Sequence, residues 1–287
     1  MIINYPIYKK STVREYLESF YLSKSKIYTL FLDGNIYLNN HKVKENDIIN
    51  KGDILQIDHI EEIDYKINTD IKLDIIYEDD YLLIINKPKN ILIHNGKDNN
   101  DSLSNLVSGY YYLNGISLNV RFCHRLDYET SGLIIYAKDI LTHSYMNHFI
   151  ECHVIKRCYL AFCYNKFKNK IGKIDLPIGR DRHENKMRVS KTGKEAITHF
   201  EVIKNYKNYT LVKLQLETGR THQIRCHLSY LNHPILGDTL YGASNEYIDR
   251  VALHSYSLDF IHPIYNEKMH LEAELPKDMK YLYEKKD

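Results

Sequence analysis

At 287 residues and 34.0 kDa, the chain suits one large domain or two unequal ones, at roughly 150 residues per domain. Its 44% hydrophobic and 26% charged residues exclude wholesale disorder, and no run approaches the ~20 apolar residues of a membrane span. The net charge of +2 hides an uneven distribution: residues 151–235 carry 17 Lys/Arg against 7 Asp/Glu, a surplus that would attract a polyanion as readily as it would make a solvated basic face.

Five cysteines (Cys123, Cys152, Cys158, Cys163 and Cys226) are odd in number and form no CxxC pair, which predicts reduced thiols in a cytoplasmic protein. The N-terminus lacks the pattern of a signal peptide. The 26 Tyr accompany abundant Ile, Asn and Lys and an absence of Trp, as coding bias would produce.

In chain order, Thr12-Val13-Arg14-Glu15 is a capping box followed by Val13, Tyr16, Leu17 and Phe20 at helical spacing. A second helix is predicted from Ser25 to a stop at Gly34, then short strands around Ile36, Val43 and Ile54–Ile57. These make a small unit over residues 1–60. The polar stretch 61–72 (Glu61-Glu62-Ile63-Asp64-Tyr65 through Asp70) is predicted as a linker, leaving 73–287 as the larger domain.

That domain is predicted to hold strands at Ile75–Tyr77, Tyr81–Ile85, Gly132–Ala137, Tyr159–Tyr164, Ala196–Ile203, Tyr209–Glu217 and Leu253–Phe260. Helices are expected around Leu103–Tyr110 and from a cap at Thr221. Strands without regular βαβ alternation predict an α+β fold, with a mixed, mainly antiparallel sheet flanked by helices.

Two segments carry chemistry. In Cys123-His124-Arg125-Leu126-Asp127-Tyr128-Glu129-Thr130-Ser131-Gly132, Arg125 and Asp127 project to one side of an extended backbone. An Arg beside a carboxylate favours a nucleophile or base, and a structural Arg–Asp pair at a turn has the same spacing. In Thr218-Gly219-Arg220-Thr221-His222-Gln223-Ile224-Arg225, a glycine turn opening a helix offers N–H groups to a phosphate, or is simply a solvated helix start. His222, His227 and His233 match no zinc spacing, and no metal is expected.

The His124-Arg125-Leu126-Asp127 run with Thr130-Ser131-Gly132 resembles the signature of RluA-like RNA pseudouridine synthases. Further blocks of that family follow in order over about residues 73–275. They include Asn86-Lys87-Pro88, Lys156-Arg157-Cys158-Tyr159-Leu160-Ala161, Lys186-Met187-Arg188-Val189, Gly219 through Arg225, His233-Pro234-Ile235-Leu236-Gly237-Asp238, and Leu253-His254. Residues 1–60 are more weakly similar to the alpha-L RNA-binding module of a small-subunit ribosomal protein, departing from it by keeping few basic residues (Lys24, Lys26) on the helices.

The resemblance implies a pseudouridine synthase fold and an isomerase that converts uridine in structured RNA to pseudouridine, with ribosomal RNA favoured over transfer RNA. It implies no metal, nicotinamide or nucleotide cofactor, no membrane partner and a monomer. By that match Asp127 is the nucleophile, Arg225 pairs with it, Tyr159 stacks on the target base, and Arg125 takes the place of a flipped-out nucleotide. Arg220, His222, Lys186 and Arg188 would contact RNA. His124, Thr130 and Gly132 would shape the loop, and Lys87 and Lys138 would be structural or face phosphate. The alternative is a catalytically silent RNA-binding or ribosome-assembly protein on the same fold. A carboxylate glycosidase would need two facing acids, and only Glu129 lies near Asp127 in sequence.

Overall fold

The computed structural model describes residues 1–59, 63, 65–70, 72–94 and 102–285. Its first elements are β1 (Ile2–Pro6), β2 (Ser11–Thr12), α1 (Val13–Glu18), α2 (Lys24–Leu32), β3 (Ile36–Leu38), β4 (His41–Lys42), β5 (Ile48–Ile49) and β6 (Ile54–Asp58). The capping box closes in both directions. Glu15 N–H donates to Thr12 Oγ1, and Thr12 N–H donates to Glu15 Oε2 at 2.8 Å, so α1 starts where the pattern places it. α2 is capped by Ser23, two residues before the expected start, and the chain turns out of it at Gly34 with φ +65°. The sheet β1-β6-β3-β4 is antiparallel, and Ile3, Tyr5, Leu55 and Ile57 bury one face with Val13, Leu17 and Ile27 of the helices.

The rest of the chain contributes β7 (Ile75–Glu78), β8 (Leu82–Lys87), α3 (Leu103–Leu113), β9 (Arg121–Phe122), β10 (Ser131–Ala137), α4 (Ile140–Glu151) and β11 (Lys156–Tyr164). Then come β12 (Ile171–Asp175), β13 (Ile178–Arg180), β14 (Met187–Val189), β15 (Ile197–Asn205), β16 (Tyr209–Leu216), α5 (Gln223–Tyr230), β17 (Leu253–Ile261), β18 (Lys268–Glu272) and α6 (Lys277–Glu284). One ten-stranded sheet runs β12-β15-β16-β11-β17-β10-β8-β7, with β18 on β17 and β9 on β10. Every pairing in it is antiparallel except β10 with β17, the mixed α+β arrangement expected.

Composition explains the order. Leu82–Ile85 and Leu133–Ala137 are apolar at successive positions, so β8 and β10 are buried on both faces as interior strands of the sheet. At the parallel junction, Gly132 sits at φ +109° and a Cβ there would lie 2.2 Å from the Ser255 carbonyl oxygen, so only glycine lets β10 meet β17. On the other side of β17, Tyr256 is an extra residue between the pairs Cys158↔Ser257 and Tyr159↔Ser255, a bulge of β17 opposite a β11 that keeps its register with β16.

Two helices absent from the sequence reading complete the fold. α4 is capped by Asp139, which accepts from the N–H groups of Leu141 and Thr142, and it receives the N-terminal unit: Tyr21 stacks on His148 at 3.6 Å and Phe20 packs on Tyr145. α6 follows Pro276 and buries Met279 and Leu282. Of the expected linker, Glu61, Glu62, Asp64 and Ile71 lie outside the described residues. Residues 65–70 run along α3, where Asn68 N–H donates to the Asn105 carbonyl and Gly109 leaves room for the Asn68 carbonyl.

Candidate active site

The loop 123–130 leads into β10 at Ser131–Gly132, where β10 meets β17. It lines a cavity of about 900 Å³ with Arg157 and Tyr159 of β11 and the 218–225 segment that opens α5. Asp127 lies in this cavity with its side chain 28% exposed, and Arg225 Nη1 faces its Oδ2 at 3.5 Å. The stronger partner of Arg225 is Asp238, which sequence reasoning left without a role. Arg225 Nε and Nη2 donate to Asp238 Oδ2 and Oδ1 at 2.8 Å each, and the Tyr241 ring lies 5.2 Å from the guanidinium. Burial opposes the charge on Arg225, but Asp238 and Asp127 outweigh it and hold the group protonated. The expected pairing of Arg225 with Asp127 is therefore present as the looser arm of a guanidinium locked by Asp238.

The Asp127 loop is tied down from beneath by two buried cations. Lys87 has no exposed surface, and its Nζ donates to the carbonyls of Pro88, Ile91 and Tyr128 at 2.9, 2.9 and 3.1 Å. Burial pushes its pKa down to about 7, against the pull of Asp127. This is a structural placement, settling the alternatives left open by sequence.

Arg250 Nη1 donates to the Glu129 carbonyl and to Ser131 Oγ, both at 3.3 Å, while Nε and Nη2 fork onto Asp278 of α6 at 3.0 and 2.9 Å. His124 is also structural. Its Nε2 accepts from Ile135 N–H, and burial, aided by the charge of Arg157, pushes its pKa down to about 3, so it stays neutral.

Tyr159 is 4% exposed, and burial raises its phenol while the Arg157 charge opposes the shift. Arg125 is exposed at the same cavity, joined by Arg220 and His222. The helix start differs from expectation. Thr221 does not cap α5; the cap position is His222, in left-handed backbone at φ 52° with no side-chain cap bond. The reason is Gln223, whose Oε1 accepts from Thr218 Oγ1 at 2.7 Å and from Arg220 N–H at 2.9 Å, so that this N–H is not free for a phosphate.

Lys186 and Arg188 are not among the cavity's lining residues. They sit at the β13–β14 hairpin, ion-paired with Glu184 at 2.7 Å and Asp181 at 3.5 Å, while Met187 and Val189 pack on Cys226 and Tyr241. Lys138 pairs with Glu78 at 2.7 Å, away from the cavity. Among the described residues no three His, Cys, Asp or Glu side chains group as metal ligands.

The model of the RNA pseudouridylate synthase family matches residues 81–230, the stretch that holds Asp127, Tyr159 and Arg225. The uncharacterized RNA pseudouridine synthase YhcT of Bacillus subtilis (strain 168) is 45% identical over 215 residues, covering 74% of this chain and 71% of that protein. Ribosomal large subunit pseudouridine synthase D of Vibrio parahaemolyticus serotype O3:K6 (strain RIMD 2210633) is 40% identical over 229 residues, covering 73% and 69%. Among solved structures, human RNA pseudouridylate synthase domain containing 4 matches with a TM-score of 0.61 and 25% identity, over 72% of this chain and 90% of that one. The family signature, the sheet and the relatives agree: this chain belongs to the RluA-like RNA pseudouridine synthases, isomerases that act on RNA.

Proposed function

We propose that this enzyme isomerises a uridine of ribosomal RNA, with Asp127 as the nucleophile acting on an extruded nucleotide. The observation that carries this reading is the Asp127 carboxyl group, part-exposed in the cavity and 3.5 Å from an Arg225 guanidinium that Asp238 locks in place. In the reaction the N1–C1′ bond breaks and a C5–C1′ bond forms. The proton on C5 leaves and N1 gains one, so the change is redox-neutral and consumes no co-reactant.

Tyr159 supplies the ring on which the uracil stacks, and Arg125, exposed at the cavity, fills the gap left in the RNA stack. Extrusion costs a few kcal/mol of unstacking, which stacking worth ~1–3 kcal/mol per base and phosphate contacts offset. The ribosomal substrate is supported by the Vibrio relative, which is named a ribosomal large subunit pseudouridine synthase.

The test is tritium release from RNA carrying [5-³H]uridine, offered as large-subunit ribosomal RNA and, separately, as transfer RNA. Release from the ribosomal RNA is expected, falling at least about 10³-fold in Asp127→Asn, as loss of a nucleophile predicts. Equal release by that variant overturns Asp127 as nucleophile, release from transfer RNA alone moves the substrate, and no release from either favours a silent RNA-binding protein.

A further inference from the structure

Arg157 stands out among the buried arginines. Arg225 is answered by Asp238 and Asp127, and Arg250 by Asp278 and a set of oxygens. Arg157 is 5% exposed, yet among the described residues it has no ion pair and no hydrogen bond, and its Nε is sealed with no acceptor. A guanidinium is a permanent cation, and a buried charge without a partner is costly.

Its position says where a partner would come from. Arg157 lies two residues before Tyr159 on β11, so both side chains leave the strand on one face, and both line the cavity. The guanidinium ends against Gly219, where a Cβ would lie 3.2 Å from Nη1 and 3.4 Å from Nη2. A second donor beside the cavity is also unanswered: His124 accepts at Nε2, so its Nδ1 carries the hydrogen, and that atom is buried with no acceptor.

We propose that Arg157 is a binding residue for the substrate, taking a backbone phosphate next to the uridine that stacks on Tyr159. The anion that the fold omits arrives with the RNA. Phosphate is the full negative charge that RNA carries, and a planar fork matches its oxygens. This inference rests on RNA entering the cavity as proposed above.

The test uses the full chain and an in vitro transcript of large-subunit ribosomal RNA, with binding measured by filter retention across a salt series, apart from tritium release. Arg157→Gln is expected to weaken binding about tenfold and to flatten the dependence of log Kd on log salt by about 0.7–0.9, one phosphate contact. Arg157→Lys is expected to keep the salt slope while losing part of the affinity. Arg157→Met is expected to melt no lower than wild type, since it removes an unpaired buried charge. Wild-type affinity and slope in Arg157→Gln overturn the proposal. So does a lower melting temperature in Arg157→Met together with an unchanged slope in Arg157→Gln, the signature of a structural strut. Absence of tritium release by the wild-type enzyme, with binding and slope as expected, would instead count against the proposed reaction and leave this contact standing.

Discussion

Replacing Asp238 by Asn tests whether the active-site guanidinium is held from behind. The wild-type fork makes two charge-assisted hydrogen bonds at 2.8 Å, and the Asp238 side chain has no exposed surface. Asn keeps one acceptor and turns an NH₂ toward a guanidinium N–H, so one bond and the whole countercharge are lost. Breaking a buried pair in this way costs about 3–5 kcal/mol, which at roughly 2–4 °C per kcal/mol lowers Tm by about 6–20 °C. With its fork freed, Arg225 turns onto Asp127, and kcat is expected to fall at least about 10²-fold where the variant is still folded, as misplacing a catalytic group does. Asp127→Asn is the internal contrast. Its side chain is 28% exposed and touches Arg225 only at 3.5 Å, so it should abolish turnover while changing stability by less than about 1 kcal/mol. Thermal melts and single-turnover tritium release measure both quantities. An Asp238→Asn enzyme that melts within about 1 °C of wild type, or turns over at the wild-type rate, refutes the reasoning.

Gly132→Ala places a Cβ 2.2 Å from the Ser255 carbonyl at φ +109°, whereas Gly115→Ala at φ +67° meets nothing within 4 Å. Urea unfolding should show a loss of about 1–2 kcal/mol for the second and clearly more for the first; equal losses would contradict the close approach of β10 and β17. In acid, burial raises the Asp278 pKa, but Arg250 and Lys89 outweigh it and take it to about 2. The unfolded chain binds that proton near pH ~4 and the native state only near pH 2, so this stability is present above pH ~4 and lost as pH falls toward 2. Asp278→Asn should be less stable at neutral pH and flatter between pH ~4 and 2, and an unchanged slope in that window counts against the pairing.

Local patterns in the chain announced much of this structure. The alternating runs of β15 and β16, the capping box of α1 and the doubly buried β10 are each set by near neighbours, which periodicity detects. The motif blocks likewise brought Asp127, Tyr159 and Arg225 to one cavity. What stayed illegible depends on distant partners. Asp238 meets Arg225 across a turn with no regular period, and Arg250 reaches Glu129 121 residues away. Lys87, Arg157 and Arg250 look in sequence like any surface cation, because burial of a charge is a property of the assembled fold. α4 escaped notice because only Leu141, Thr142 and Met146 are fully buried, too sparse an apolar face to stand out.

The brace from α6 to the Asp127 loop has a consequence for how the enzyme comes to life on the ribosome. Asp127 emerges early, but Asp278, which steadies Arg250 and through it the Glu129 carbonyl, is translated some 150 residues later. A nascent polypeptide halted before that point would carry the whole signature and still lack the strut beneath it. The loop is therefore braced only once Asp278 has been made and has folded against Arg250, a contact of long sequence separation and correspondingly slow closure.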